Sequence, residues 1–410
     1  MKKFQLILLF FLAAAAAGAD ELTWQDVLAE AKAKNPALKK SEESLKQARL
    51  GYYSAYTDFL PKLSASAGTS QSKSGSSDMQ RNYSYGLSGS ISLFSGFAGV
   101  AGLKSKETAL RISEANYART LADTVYQLKN SFLNLLWAQE TANLSSQILN
   151  KRKENFEMVE LKYDSGTEDK GSLMRVEADR LQAEFDLDKA RRNLRSASLQ
   201  LVKAIGRDDF EIVIVTGTFE VSDPGSPDLK ELAEKTPEYT AAKLSVEKSN
   251  YDLISARSGF YPDLSLSAST SKSGSEWEPQ NSGWNLGLSL SYSFFPGGKN
   301  IIDAKIAKSS KLESEESLKQ TRQQLAVSID SALNSFINSA RNVAVSVKYL
   351  NASEEQSRIT ATKYINGLAS YLEWYSAEND HINSMRSFLN SKRDAALQEA
   401  NFKKVAGQEE

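Results

Sequence analysis

Few residues in this sequence could do chemistry. His381 is the single histidine, and with Asp380 beside it and serines nearby it supplies the raw material of a hydrolytic triad. One imidazole on an exposed-looking helix, without a nucleophile at a motif spacing, reads as inert. A His-ligated metal cluster is impossible within one subunit, and with no cysteine there is no disulfide framework, thiolate nucleophile or thiolate metal site. Gly96-x-x-Gly99-x-x-Gly102 sits between a strand pattern and a helix pattern, but the spacing is not that of a dinucleotide fingerprint. These glycines read as a strand-to-helix corner. There is no Walker motif and no H-E-x-x-H, so no catalytic residue, cofactor or metal site is expected. What remains is acidic: Glu168 and Asp169 follow Gly166, and Glu373 follows Gly367. Carboxylates ringing a constriction would attract cations; ordinary turn acids would look the same.

The elements that position these acids are repetitive. A constant shift of 201 places aligns the chain with itself without a gap, as from Pro36 to Pro237. Phe59-Leu60-Pro61 falls on Phe260-Tyr261-Pro262, Phe94-Ser95-Gly96 on Phe295-Pro296-Gly297, and Lys162-Tyr163-x-x-Gly166 on Lys363-Tyr364-x-x-Gly367. One register held over the length of the chain is the mark of duplication. The first repeat is placed at residues 20–206 and the second at 228–410, joined by a linker over 207–227 that includes a short strand pattern, Phe210 to Val221. Each repeat begins with a helical segment, about 24–58 and 228–258, ending at a Pro corner. A β-hairpin follows (62–95 and 263–296), then a long helix (100–164 and 300–365), a glycine turn, and a return helix (170–206 and 370–407). Leu121, Val125, Leu128, Phe132 and Leu135 form a heptad seam, and Ala183, Leu187, Ala190, Leu194, Ala197, Leu201 and Ala204 form a second. A helix of about 65 residues reaches roughly 100 Å.

The hairpins alternate apolar residues with serine. Leu264, Leu266 and Ala268 share one face of a strand, and Leu286, Leu288, Leu290, Tyr292 and Phe294 one face of the next. Strands of about 9–11 residues with this alternation fit a transmembrane β-barrel, apolar side to lipid and serines to a wet lumen. A soluble β-sandwich gives the same alternation. Two hairpins cannot close a barrel, so several chains would have to pool them. Lys2 and Lys3, the apolar run Phe4–Ala17 and Ala17-Gly18-Ala19 predict a secretory signal peptide over 1–19. No Cys follows the expected cleavage site, so no lipid anchor is expected there. A net charge of -1 gives no electrostatic case for nucleic acid.

The duplicated layout, the Asn35-Pro36-Ala37-Leu38 opening, the FLP and FYP corners, the SFFPGG strand end and the KYxxG turns together resemble the TolC-type outer membrane efflux proteins. The resemblance implies an α+β membrane protein with internal duplication. It implies that three protomers, each giving four strands, build one twelve-stranded transmembrane β-barrel continuous with a long periplasmic α-helical barrel. It implies a passive outer-membrane duct in a tripartite efflux or type I secretion system, reaching into the periplasm. The implied partners are two further copies, a periplasmic adaptor protein, an inner-membrane pump and outer membrane lipid. The helix-tip turns and adaptor contact would involve Lys162, Tyr163, Gly166, Lys363 and Gly367. Tyr364 matches a tyrosine that helps hold the periplasmic aperture closed, and Glu373 matches the first of two acids that ring it. Ser376 stands where the second acid is expected; Ser172 and Ala369 stand where an Asp and an Arg would pair with the tyrosine. The expectation is a gate with fewer ionic locks and one ring of Glu373 carboxylates, whose crowding would raise their pKa values. The competing reading is a trimeric periplasmic coiled-coil scaffold or adhesin without a pore, its strands forming soluble sheets.

Overall fold

Proline and glycine punctuate the chain, and the elements between them run as follows. The computed structural model describes residues 21–75, 78–223, 225 and 227–407; the expected signal peptide lies outside them. The first repeat comprises β1 (Glu21–Leu22), α1 (Trp24–Lys34), α2 (Pro36–Tyr56), β2 (Lys62–Ser72), β3 (Gln80–Ser95), α3 (Ala98–Asp164) and α4 (Lys170–Ile205). A short strand β4 (Ile214–Val215) precedes the second repeat, which comprises α5 (Leu229–Lys235), α6 (Pro237–Ala256), β5 (Asp263–Gly274), β6 (Asn281–Ser291), α7 (Lys299–Ile365) and α8 (Tyr371–Val405).

Three sequence expectations need correction. The opening helix of each repeat is two helices. Asn35 (ψ 123) and Thr236 (ψ 145) both leave the helical region because a proline follows. In the linker only Ile214–Val215 are strand, paired in parallel with Glu21–Leu22, which the sequence pattern does not reveal. The second hairpin ends early: Tyr292, expected on a lipid-facing strand, lies one place past β6. The register pairs Asp263 with Ser291, so the next pair would set Tyr292 against Pro262, which has no N–H to continue the ladder.

Two compact units divide the chain, and each draws on both repeats. One unit contains residues 127–222 and 337–400 with the N-terminal segment up to Asn35. Its largest core joins Val27 and Ala31 of α1 to Leu128, Phe132 and Leu135 of α3 and Leu201, Val202 and Ile205 of α4, so both heptad seams meet there. Glu30 closes this core from outside: its carboxylate accepts two 2.7 Å bonds from Arg207, just past the left-handed Gly206 that caps α4.

The other unit contains the sheet, in the order β2-β3-β5-β6, antiparallel throughout. Cross-strand partners share a face, so the register sorts its side chains. Leu63, Ala65, Leu87, Ile91, Leu264, Leu266, Trp284, Leu286, Leu288 and Leu290 fall on one side. The other side carries Ser64, Ser66, Ser88, Ser90, Ser265, Ser267, Asn285 and Ser289. Much of the apolar side is exposed, Leu286, Leu288 and Leu290 each by more than 60%, while Ile91, Leu264 and Leu266 are half-buried. A bulge between Ser92 and Phe94 adds Leu93 and returns Phe94 to the apolar side opposite Leu264. The chain then turns into α3 through Gly96 (φ 58) and Phe97 (φ 68), the only non-glycine residue with positive φ among those described. A left-handed phenylalanine costs about 1–3 kcal/mol. No helix among the described residues is long and apolar enough to cross a membrane.

Candidate functional site

The acids singled out from the sequence lie at two helical tips of the first unit. Each long helix ends in the same way. The Gly166 N–H bonds the Tyr163 carbonyl and the Thr167 N–H the Lys162 carbonyl; Gly367 and Leu368 repeat this on Tyr364 and Lys363. This is a Schellman stop, which needs a left-handed residue, and both glycines have φ +73. Within each turn the KYxxG motif acts through its backbone: Lys162 and Lys363 contribute carbonyls, and the glycines contribute the left-handed residue.

The structure ties the two tips together through Tyr364. Its hydroxyl donates a 2.6 Å bond to the Glu168 carboxylate. Its ring stacks on Trp374 at 4.9 Å, and the Lys162 ammonium lies 4.8 Å over it. Burial, and then the bond to Glu168, push its pKa well above the usual phenol range, so it stays protonated and a donor. Val159, Val176 and Trp374 complete a small core with it, flanked by Tyr371 and Tyr375. Tyr375 in turn receives a 3.0 Å bond from Arg175. The family resemblance implies an Arg and an Asp on this tyrosine, at the places where Ala369 and Ser172 stand. Glu168 takes that place, four residues closer to Gly166. The cluster Tyr371, Trp374 and Tyr375 was missed, although three aromatics in five residues beside a turn were its signal.

Ser172 is buried and its amide donates to Asp169, the N-cap of α4, at 2.9 Å. Glu373 accepts from the Ser370 amide and hydroxyl at 2.8 and 2.9 Å, while the Ser370 hydroxyl accepts from the Glu373 amide, a reciprocal capping box at the start of α8. Those bonds hold the Glu373 carboxyl below the usual range. Within the chain they oppose the rise that crowded carboxylates would produce. Ser376 is exposed one turn further along. Leu161, Ile365, Leu368 and Leu372 are large, apolar and exposed around the tips.

A second polar group lies in the helices above the tips. Glu378 is 2% exposed and accepts bonds from Asn155 and Ser357, with the Lys151 ammonium at 3.4 Å. His381 is buried beside it, which corrects the exposed position read from the sequence. Burial, and then Lys151, lower its pKa, and its Nδ1 has no hydrogen-bond partner among the described residues. It is a neutral core imidazole without a nucleophile. Among the described residues no group of His, Cys, Asp and Glu could hold a metal ion.

A two-faced sheet with open edges and long helices that stop at glycine tips are the parts that a channel assembled from several chains would use. The family model of the outer membrane efflux proteins matches the chain twice, over residues 27–207 and 229–408. The chain belongs to that family, whose members are channel proteins rather than enzymes, and its place is the outer membrane. Among relatives, the outer membrane protein OprJ of Pseudomonas aeruginosa is 24% identical, the match covering 93% of this chain and 85% of that one. TolC of Escherichia coli is also 24% identical, over 93% of this chain and 81% of that one. A solved structure of CusC superposes with a TM-score of 0.86 at 18% identity, covering 95% of this chain and 93% of that one.

Proposed function

We propose that three copies of the chain pool their strands into one twelve-stranded outer-membrane barrel. Their helices then continue it as a periplasmic tunnel that passively conducts substrates delivered by an inner-membrane pump and a periplasmic adaptor. The sheet carries this reading. Its four strands leave β2 and β6 unpaired at the edges, one side is serine-rich and the other apolar and exposed. Four strands are too few to close, since the smallest membrane barrels have about eight. Pooling satisfies the edges, sets the apolar side on lipid and encloses the serines around water. Leu264, Leu266, Leu286, Leu288 and Leu290 would then face lipid, with Tyr292 just past the strand end.

The tips would form the aperture. The Tyr364–Glu168 bond would help hold each protomer's tips together at that aperture, and the exposed Leu161, Ile365, Leu368 and Leu372 would offer the adaptor an apolar surface around the turns. The test is light scattering on detergent-extracted protein together with conductance across a planar bilayer. A three-chain particle that conducts supports the duct. A monomer that stays soluble without detergent and passes no current overturns it.

A further inference from the structure

The duplication bears on the two open edges of the sheet. Under the shift of 201 places the registers of the two hairpins coincide: Lys62 pairs with Ser90, and their counterparts Asp263 and Ser291 pair in the same way. The repeats therefore agree in strand register as well as in sequence. Where one repeat meets the other, β3 pairs with β5, Leu87 opposite Thr270 and Ser90 opposite Ser267. Carrying that junction forward by the same shift sets β6 beside β2. Within one chain these are the two outer strands of a four-stranded sheet, so the β2 that β6 meets belongs to a second copy.

Two features of the second repeat point to the same missing neighbour. Strand β3 runs past the end of β2, and residues 91–95 are held by β5 alone. Their counterparts, residues 292–296, are not strand and leave Tyr292, Phe294 and Phe295 exposed. The corners differ likewise. A Cβ on Gly96 (φ 58) would lie 2.4 Å from the Ser258 carbonyl oxygen and 3.0 Å from the Tyr261 side chain. Gly297 (φ 65) turns the chain in the same way, yet among the described residues nothing lies within 4 Å of that point. What the second corner lacks is a following repeat.

We propose that β6 of one copy pairs antiparallel with β2 of a second in the register of β3 on β5. Leu288 then lies opposite Thr69, Ser291 opposite Ser66 and, past a bulge at Phe294, Phe295 opposite Leu63. Residues 292–295 become strand only on assembly, and the second copy's Thr57 and Leu60 close the corner at Gly297. This rests on the reading of the sheet as one part of a pooled barrel and adds how the parts join. Three of the new pairs repeat the residue types of their models, Leu87–Thr270, Ser90–Ser267 and Phe94–Leu264. A slip of one place would set Leu288 against Gly68 or Ser70, on the serine side. A slip of two keeps the faces, and only experiment separates it.

The chain has no cysteine, so engineered pairs can be read without background. Directly opposite residues have Cα atoms about 4.5–5.5 Å apart, within disulfide reach; residues two places off are about 7–8 Å apart, outside it. In full-length protein assembled in outer membranes, mild oxidation of Leu288→Cys with Thr69→Cys should link chains covalently. Leu288→Cys with Ala67→Cys or with Gln71→Cys should link at least about tenfold more slowly. Leu87→Cys with Thr270→Cys should close within one chain and shows that the oxidant reaches the sheet. Faster linkage in either shifted pair would overturn the register and leave the barrel standing. So would the absence of any link between chains while the Leu87–Thr270 pair closes and light scattering still counts three chains. A single chain by light scattering, unlinked in every pair, would sink the barrel and the register with it. The wild type supplies a second readout, since amides of residues 292–295 should exchange as slowly in the assembled protein as those of 91–95. Exchange there at the rate of an unpaired segment would overturn the proposal whatever the variants do.

Discussion

Tyr364 and Glu168 lie in opposite tips, one from each repeat, and the phenol of the first donates to the carboxylate of the second at 2.6 Å. A neutral donor on a charged acceptor contributes about 1.5–3 kcal/mol, and Tyr364 is buried, so most of its ring packing survives removal of the hydroxyl. Tyr364→Phe should therefore loosen the tips without unfolding the helices. Amide exchange in the two turns should accelerate and bilayer conductance should rise, while the melting temperature falls by no more than the few degrees that such a bond supports. Unchanged exchange in both turns would remove the tie from any account of closure.

The sequence alone does not reveal this bond, for a physical reason. Alternation in the hairpins, the heptad seams and the KYxxG turns are local signals, because strand faces, helix seams and left-handed glycines follow from neighbouring residues. The Tyr364–Glu168 partnership joins residues brought together only by the side-by-side packing of the two repeats' tips, and Glu168 carries no local mark beyond its charge. Buried His381 was misread for a similar reason, since its neighbours Asp380 and Asn379 are polar and the groups that enclose it come from other helices. The Asn35 break, by contrast, was legible: the proline rule that ended the helix at Leu60 applies equally before Pro36.

Glu30 and Arg207 make a mostly buried bidentate pair, and Glu30 titrates at about 2 rather than 4.5, chiefly because Arg207 hydrogen-bonds its charged form. The pair's stabilisation is therefore complete above pH 4.5 and is lost as pH falls toward 2. After allowance for screening it amounts to roughly 1–3 kcal/mol. Glu30→Gln should melt earlier than the wild type at pH 7, and the gap should narrow at pH 3. A gap that stays constant between those pH values would contradict the assignment.

Buried Glu378 predicts an asymmetry. Glu378→Gln keeps an acceptor for Ser357 or Asn155 and removes a buried charge, so its cost is small, about 1 kcal/mol. Lys151→Met leaves the carboxylate 2% exposed with its ammonium partner gone, which costs about 3–5 kcal/mol. Denaturant melts of the two variants should rank in that order, and combining them should recover much of the stability that Lys151→Met alone removes. Additive costs in the double variant would mean that the two groups do not act as a pair.

Leu288 and Ser289 are adjacent on β6 and point to opposite sides of the sheet, Leu288 opposite Leu266 and Ser289 opposite Ser265. In a pooled barrel the first faces lipid and the second water. Leu288→Arg should then cost about 2–4 kcal/mol near the bilayer midplane and deplete assembled protein in outer-membrane fractions. Ser289→Arg should assemble normally and instead alter ion selectivity, since it adds one positive charge per chain to the lumen. A soluble sheet would give neither pattern, because Leu288 is already exposed in the single chain and a charge there would meet water. Quantifying both variants in membrane fractions, followed by single-channel selectivity of Ser289→Arg, decides whether the serine side lines a pore.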